Sequence, residues 1–329
     1  MRKIVAFLLM TCVSATVCAG FEDGEKAFKE GRWPVAYAEF APLALSGDFR
    51  AQYYMGYLTL NGYGTAKDEK RAIQYFTDAS EQEYDMAQAM LGYLHSEGIG
   101  VKKNKKKAIE FYEKAAALGN GDALLNLGVI YYTGDSVSKD VSKAVEYFSK
   151  VSTTDKPIVA KYLGDIYLNE PSMSNAEKAF SYYMIAARSG DVGAYHVLGY
   201  MYQNGVHVKK SINDAIKFYA YAAAKGYTPS QYALGVIYAN GDGVTRDNYK
   251  AHAYFSLAAA KEMKEAQKAK ELLEEDMSLS EREKASRAMI TVQQEDLKSP
   301  AAPLTKESAV TTQAEQTKKV RTTIRRRRR

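Results

Sequence analysis

Six glycines, Gly56, Gly92, Gly128, Gly164, Gly199 and Gly235, recur along this chain at intervals of 36, 36, 36, 35 and 36 residues. A fixed period of that length marks a repeat architecture, in which each unit is too small to bury its own apolar face and is stable only when stacked on its neighbours. The flanking text is in register: AQYYMGYLTLNGYG, AQAMLGYLHSEGIG, ALLNLGVIYYTGDS, VAKYLGDIYLNEPS, AYHVLGYMYQNGVH and SQYALGVIYANGDG. The second half of each unit keeps the same beat. Asp68, Asn104, Asp140, Asn175, Ser211 and Asp247 all accept hydrogen bonds from free N–H groups at a helix start, a cap worth about 1 kcal/mol. Four residues later stands alanine, at 72, 108, 144, 179, 215 and 251. Aromatic pairs such as Tyr75-Phe76, Phe111-Tyr112 and Phe218-Tyr219 follow, then a small residue at Ala79, Ala115, Val151, Ala186, Ala222 and Ala258. Offsets of four, three and four lie on one helical face.

Each unit therefore predicts a helix A, a turn, a helix B and a return turn. The fold class is all-α: a right-handed α/α solenoid (superhelix) of tandem helix-turn-helix repeats. A glycine in mid-helix costs about 1 kcal/mol relative to alanine, so six of them need a compensating gain. Close approach of helix B is the expected one, with Ala108 meeting the gap at Gly92 and the aromatics filling the space between units. The turn Asn240-Gly241-Asp242-Gly243 looks like an ion loop, but calcium loops need carboxylates at alternate positions and a closing bidentate acid. The equivalent turns read NGYG, EGIG and NGVH, whose common element is a glycine able to take the left-handed backbone after a helix. A phosphate cradle would follow a strand, and here an amphipathic helix precedes it.

These residues resemble the Sel-one-like repeat family, a tetratricopeptide-related class of α/α solenoids. Its pattern is carried by Ala87, Leu91, Gly92, Gly98, Gly100, Lys107, Ala108, Ala115, Ala116 and Gly119. The expected organisation is a capping helix pair at 20–50, six repeats at 51–265 and capping helices at 266–295, with a signal peptide at 1–19 before them and, by its Pro-, Ser-, Thr- and Ala-rich composition, a disordered basic tail at 296–329 after them. The second capping helix is expected to start at a capping box of Ser280 and Glu283. The fourth repeat departs from the pattern at NEPSMS, which lacks the turn glycines, so a local irregularity is expected there.

Arg2 and Lys3, the apolar run IVAFLLM and the small residues before Ala19 form a secretory leader, so the chain is expected to be exported, to the periplasm first and outside the cell as the alternative. Cys12 and Cys18 both lie within that leader, which leaves the mature chain no thiol chemistry and no disulfides. No other apolar run reaches membrane-spanning length. Residues 20–295 hold 33 basic and 36 acidic side chains, whereas the last 34 residues hold ten Lys or Arg against three acids. The body is thus not built to bind nucleic acid, and any attraction to an anionic envelope surface would come from Arg325, Arg326, Arg327, Arg328 and Arg329.

No catalytic, metal or cofactor constellation stands out. His95, His196, His207 and His252 sit at different repeat positions with no acid or second histidine at ligand spacing. What remains is surface. Tetratricopeptide grooves are lined by helix A, and the resemblance places the equivalent wall three residues before and one after each repeat glycine. Those positions are Tyr53, Tyr57, Ala89, Tyr93, Leu125, Val129, Lys161, Asp165, His196, Tyr200, Tyr232 and Val236. Tyrosine combines apolar area with a hydrogen-bonding tip, which suits peptide recognition. The leading expectation is a non-catalytic scaffold or adaptor for a protein or peptide partner. The alternatives are an envelope enzyme or accessory subunit acting on peptidoglycan or a lactam, and a secreted effector that binds a host protein. The lactam-linked relatives are cysteine-rich, and this chain is not.

Overall fold

A computed structural model describes residues 20–153, 155–275 and 277–298; the leader and the arginine run lie outside these. Among the described residues every regular element is a helix. The chain divides into two compact units, one up to Ser152 and one from Thr153.

The first unit begins with α1 (20–29) and α2 (Trp33–Leu45). Three A/B pairs follow: α3 (Phe49–Asn61) with α4 (Glu69–Glu81), α5 (Asp85–Glu97) with α6 (Lys105–Ala117), and α7 (Gly121–Thr133) with α8 (Val141–Ser149). The second unit holds three more pairs. These are α9 (Ile158–Asn169) with α10 (Ala176–Arg188), α11 (Val192–Asn204) with α12 (Ile212–Ala224), and α13 (Thr228–Asn240) with α14 (Asn248–Ala259). It ends with α15 (Lys264–Glu275) and α16 (Leu279–Lys298). Within each unit a helix A packs on its own helix B, which packs on the next helix A.

All six expected caps are in place. The side chains of Asp68, Asn104, Asp140, Asn175, Ser211 and Asp247 accept from the backbone N–H groups of Arg71, Lys107, Lys143, Lys178, Asp214 and Lys250 at 2.9–3.3 Å. The alanine four residues after each cap is at most 1% exposed. Gly241 ends α13 at φ +75° and Gly243 follows at +71°, so this turn is backbone punctuation. The second left-handed place is taken by Ser136 (φ 70°) and His207 (φ 63°) in two other turns; it demands a conformation more than a glycine.

The packing at the repeat glycines corrects the sequence expectation. A Cβ on Gly92 would meet the ring of Tyr112 at 2.7 Å, with no Ala108 atom among its nearest neighbours. Phe76, Phe148, Tyr183, Tyr219 and Phe255 stand in the same way over Gly56, Gly128, Gly164, Gly199 and Gly235. The missing side chain thus makes room for the second aromatic of helix B in the same unit, and the ring, not the alanine, fills the gap. Gly24 and Phe40 repeat the arrangement between α1 and α2, which makes the first pair a variant of the same unit with a shorter turn.

Two irregularities break the pattern. α9 ends at Glu170 in extended backbone, where other helices A end on a left-handed glycine, as the NEPSMS departure led one to expect. The other precedes α9: α8 is only nine residues long, and Pro157 stands at the N-cap of α9 without a side-chain cap. At the C-terminus the capping box is Ser278 with Glu281, not Ser280 with Glu283. Ser278 N donates to Glu281 Oε2 at 2.9 Å, and Glu281 N to Ser278 Oγ at 3.3 Å. The sequence SLSERE offers both registers, and the one that starts the helix two residues sooner is used. α16 packs on α14 and reaches α12, where Val292 is fully buried among Tyr219, Leu234 and Tyr254.

Candidate functional site

The A/B alternation assigns the wall residues to two faces, one in each unit. In the first unit α3 contributes Tyr53 and Tyr57, α5 contributes Ala89 and Tyr93, and α7 contributes Leu125 and Val129. Tyr93 is 47% exposed. Tyr57 is half-buried, edge-on to Phe28 at 5.4 Å. Tyr53 instead packs between helices, against Tyr54, Phe76 and Tyr84 at 5.6–5.7 Å. Burial first, then the neighbouring tyrosines and Asp122, push its hydroxyl pKa up to about 12.

Sequence reading missed Tyr112. Its ring lies on Gly92 and is 3% exposed, and its hydroxyl makes no hydrogen bond among the described residues. Burial raises its pKa to about 12, with Glu97, Tyr93 and Asp122 adding to the effect. In the second unit the corresponding hydroxyls are satisfied. Tyr183 donates to Asp165 Oδ1 at 2.6 Å and Tyr219 to Gln203 Oε1 at 2.8 Å.

The second face is more self-paired. Lys161 Nζ donates to Asp165 Oδ2 at 3.0 Å. Partial burial works against that charge, but the Asp165 contact outweighs it and holds the ammonium above its usual pKa. His196 Nδ1 lies 3.0 Å from Ser230 Oγ and the ring packs on Tyr219 and Tyr227; burial lowers its pKa. Tyr200 is 47% exposed, whereas Tyr232 is half-buried on Phe255 at 5.6 Å. Tyr232 and Val236 also border a cleft of about 780 Å³ closed by Tyr249, Leu272, Leu273 and Met277. The Arg325–Arg329 run lies outside the described residues.

One polar cluster escaped sequence reading because its members lie 22 residues apart on different helices. His252, 3% exposed on α14, has Nε2 at 2.6 Å from Glu274 Oε1 of α15, and Nδ1 at 3.5 Å from Ser256 Oγ. Ser256 sits one turn along the same helix at the outer limit of a hydrogen bond, and the imidazole is closed to solvent. The cluster fastens α15 to α14. No group of metal-ligating side chains occurs among the described residues, and no described helix is long and apolar enough to cross a membrane.

A family model for the Sel1 repeat matches residues 49–84, 85–120, 121–151, 160–191, 192–227 and 228–262. The break between the third and fourth matches falls where α8 is short and Pro157 opens α9. Among solved structures, c5321, a protective antigen of uropathogenic Escherichia coli with this repeat fold, superposes with a TM-score of 0.71 at 26% identity. That match covers 84% of this chain and 60% of the E. coli protein. A Sel1 repeat protein from Oxalobacter formigenes superposes with a TM-score of 0.61 at 26% identity, over 73% of this chain and 99% of its own. No protein of curated function matches the sequence.

Proposed function

The chain belongs to the Sel1 repeat family, and from that premise we propose that it is an exported, non-catalytic adaptor whose helix-A faces hold a segment of a protein partner. Sel1 repeat proteins commonly mediate protein interaction and are generally non-catalytic scaffolds. The observation that carries the reading is the contrast among wall residues. Tyr93 and Tyr200 are nearly half exposed at equivalent places, although an interior position lies one residue away in each helix. Exposed tyrosines at the centre of a helix face are what partner recognition uses. Export rests on the leader sequence, and the likeness to a protective antigen supports it. Docking on an anionic envelope surface through Arg325–Arg329 belongs to the same reading.

The test is photo-crosslinking in intact cells from a photoreactive residue placed at Tyr93 or at Tyr200, with the exposed helix-B positions Glu110 and Lys217 as controls. The expected result is a reproducible protein adduct from the helix-A positions and none from the controls. Equal yields from both sides, or adducts from helix B alone, would refute the adaptor reading. Sequencing the N-terminus of the exported fraction tests the leader; a chain that keeps Met1 refutes export through it.

A further inference from the structure

The mildly acidic sum over residues 20–295 hides a local segregation of charge. In each repeat an A-to-B turn joins the end of helix A to the start of helix B. In the first unit these three stretches, 58–72, 94–108 and 130–144, hold ten Lys or Arg against five acids. In the second unit the equivalent stretches, 166–179, 201–215 and 237–251, hold five of each. In the turn between α1 and α2, Lys26, Lys29 and Arg32 stand against Glu30; Lys29 is bonded to Glu25 and Arg32 to Glu30.

The excess centres on KKNKKK, residues 102–107. Asn104 caps α6, and Lys105, Lys106 and Lys107 fill its first turn with no acid among them. Cations oppose the positive end of a helix dipole, so the run weakens its own helix and is favoured where an anion from outside meets it. The acids nearby are mostly engaged. Glu69 is bonded to Lys67 at 2.8 Å and Asp135 to Lys105 at 2.6 Å, and Asp68 and Asp140 are helix caps. Glu97 alone of the five is neither a cap nor in an ion pair. Lys70, Lys102, Lys103 and Lys106 are exposed and make no hydrogen bond or ion pair among the described residues.

The same edge carries an apolar foot. Tyr63 of the first repeat turn stacks on Trp33 at the start of α2, with ring centroids 4.7 Å apart. Tyr63 and Val35 are exposed and Trp33 is half-buried. The edge is continuous. A Cβ on Gly64 would meet the Trp33 carbonyl, one on Gly100 would meet Glu69 and Ile73 at the start of α4, and Lys105 reaches Asp135 of the third turn.

We infer that this edge of the first unit docks on an anionic phospholipid surface, with its lysines on the phosphates and Trp33, Tyr63 and Val35 at the boundary with the acyl chains. The inference goes beyond the adaptor reading and does not depend on it. A lysine ammonium is a point charge on a flexible stem, able to meet phosphates in any arrangement. Tryptophan and tyrosine suit a boundary that is apolar on one side and wet on the other. An acidic protein segment would use the lysines but leave Val35 and the Trp33–Tyr63 pair in water. The contact is peripheral, since no described helix is long and apolar enough to cross.

Trp33 is the single tryptophan of the chain, and its emission reports the contact directly. The full chain is titrated with phosphatidylcholine vesicles holding about one-third phosphatidylglycerol, and with phosphatidylcholine alone. The expected result is a blue shift with the anionic vesicles only, reversed by salt and quenched by brominated acyl chains. A chain with Arg325 to Arg329 each changed to glutamine is expected to keep the shift. Lys102→Gln, Lys103→Gln and Lys106→Gln together are expected to weaken binding about a hundredfold, or about fivefold per lysine. All three side chains are exposed, so circular dichroism and melting point are expected to match wild type. Lys209→Gln with Lys210→Gln in the second unit is expected to change nothing. Equal shifts with neutral vesicles, indifference to the triple substitution, or binding without quenching of Trp33 overturns the inference. Loss of the shift in the arginine variant assigns the attraction to the terminal run and overturns it too. Tighter binding of soluble polyglutamate, with Trp33 emission unmoved, assigns the lysines to an acidic protein instead.

Discussion

Adding one methyl group to a repeat glycine sets two effects of known size against each other. In mid-helix, Gly→Ala gains about 1 kcal/mol of helix propensity. At Gly56 the new Cβ would lie 2.7 Å from Cε1 and 2.9 Å from Cδ1 of Phe76, whose ring is fully buried. Overpacking of that kind costs about 1–3 kcal/mol. A ring edge in a closed core cannot swing aside as a chain end can, so the cost belongs in the upper part of the range, and Gly56→Ala is expected to lose about 1–2 kcal/mol net. Gly164 differs. Its Cβ would lie 3.1 Å from the Tyr183 ring, a contact that a shift of a few tenths of an ångström relieves, so Gly164→Ala is expected to be neutral or slightly stabilising. Urea unfolding followed by far-UV circular dichroism reads both. The decisive background is Phe76→Leu. With the ring gone, alanine at 56 is expected to be tolerated and even to recover part of its helix propensity, giving a favourable coupling of about 1–2 kcal/mol in the double-mutant cycle. If Gly56→Ala matches or exceeds wild type, or Gly164→Ala is equally damaging, or the cycle shows no coupling, then the glycines are not there for the rings.

The fastening of α15 gives a pH dependence. The hydrogen bond from His252, helped by Lys270, holds the Glu274 carboxyl below the ordinary glutamate range; a depressed carboxylate stabilises the fold fully above its unfolded pKa and loses that contribution as pH falls through the folded one. Wild type is therefore expected to unfold at higher urea than Glu274→Gln at pH 7, with the gap closing below pH 4.5; a gap unchanged down to pH 3 would refute the assignment. Tyr183→Phe removes the 2.6 Å bond to Asp165 but leaves that carboxylate paired with Lys161, so a loss of about 1 kcal/mol is expected. A loss above about 3 kcal/mol would mean that Asp165 had been left unpaired and buried.

Much of the helical frame was legible because its determinants are local. A cap needs only the residue at the helix start and the amide three residues later, which is why the six caps from Asp68 to Asp247 could be read directly. The buried alanines followed from periodicity within one helix. The Ser278 and Ser280 boxes differ by two residues and are equally good locally; packing of α16 on α12 and α14, invisible in sequence, accompanies the choice. His252 with Glu274 was illegible for the same reason, since no local rule joins two residues on separate helices.

The repeat glycines lie between these cases, and they connect the fold to the proposed site. Their spacing was plain, but what fills the space was not, because a pair such as Phe111-Tyr112 does not announce which ring turns inward. The constant interval from each glycine to its ring, 20 residues in five units and 19 at Gly164, was the available signal. The position accepts either phenylalanine or tyrosine, since the methyl-sized gap fits the ring and not its para substituent. Where it is phenylalanine, the contact is packing alone. Where it is tyrosine, the same contact directs a hydroxyl to the residues of helix A, and Asp165 and Gln203 bond it in the second unit. At Tyr112 no such partner exists among the described residues, and the charges of Glu97 and Asp122 act on the hydroxyl only through space. A feature of helix packing thus also decides where a tyrosine hydroxyl is carried along helix A. Tyr112→Phe tests this: it keeps the ring on Gly92 and removes a hydroxyl with no partner among the described residues, so unfolding in urea is expected to match wild type. A loss above about 1 kcal/mol would mean that the hydroxyl makes a bond the fold depends on.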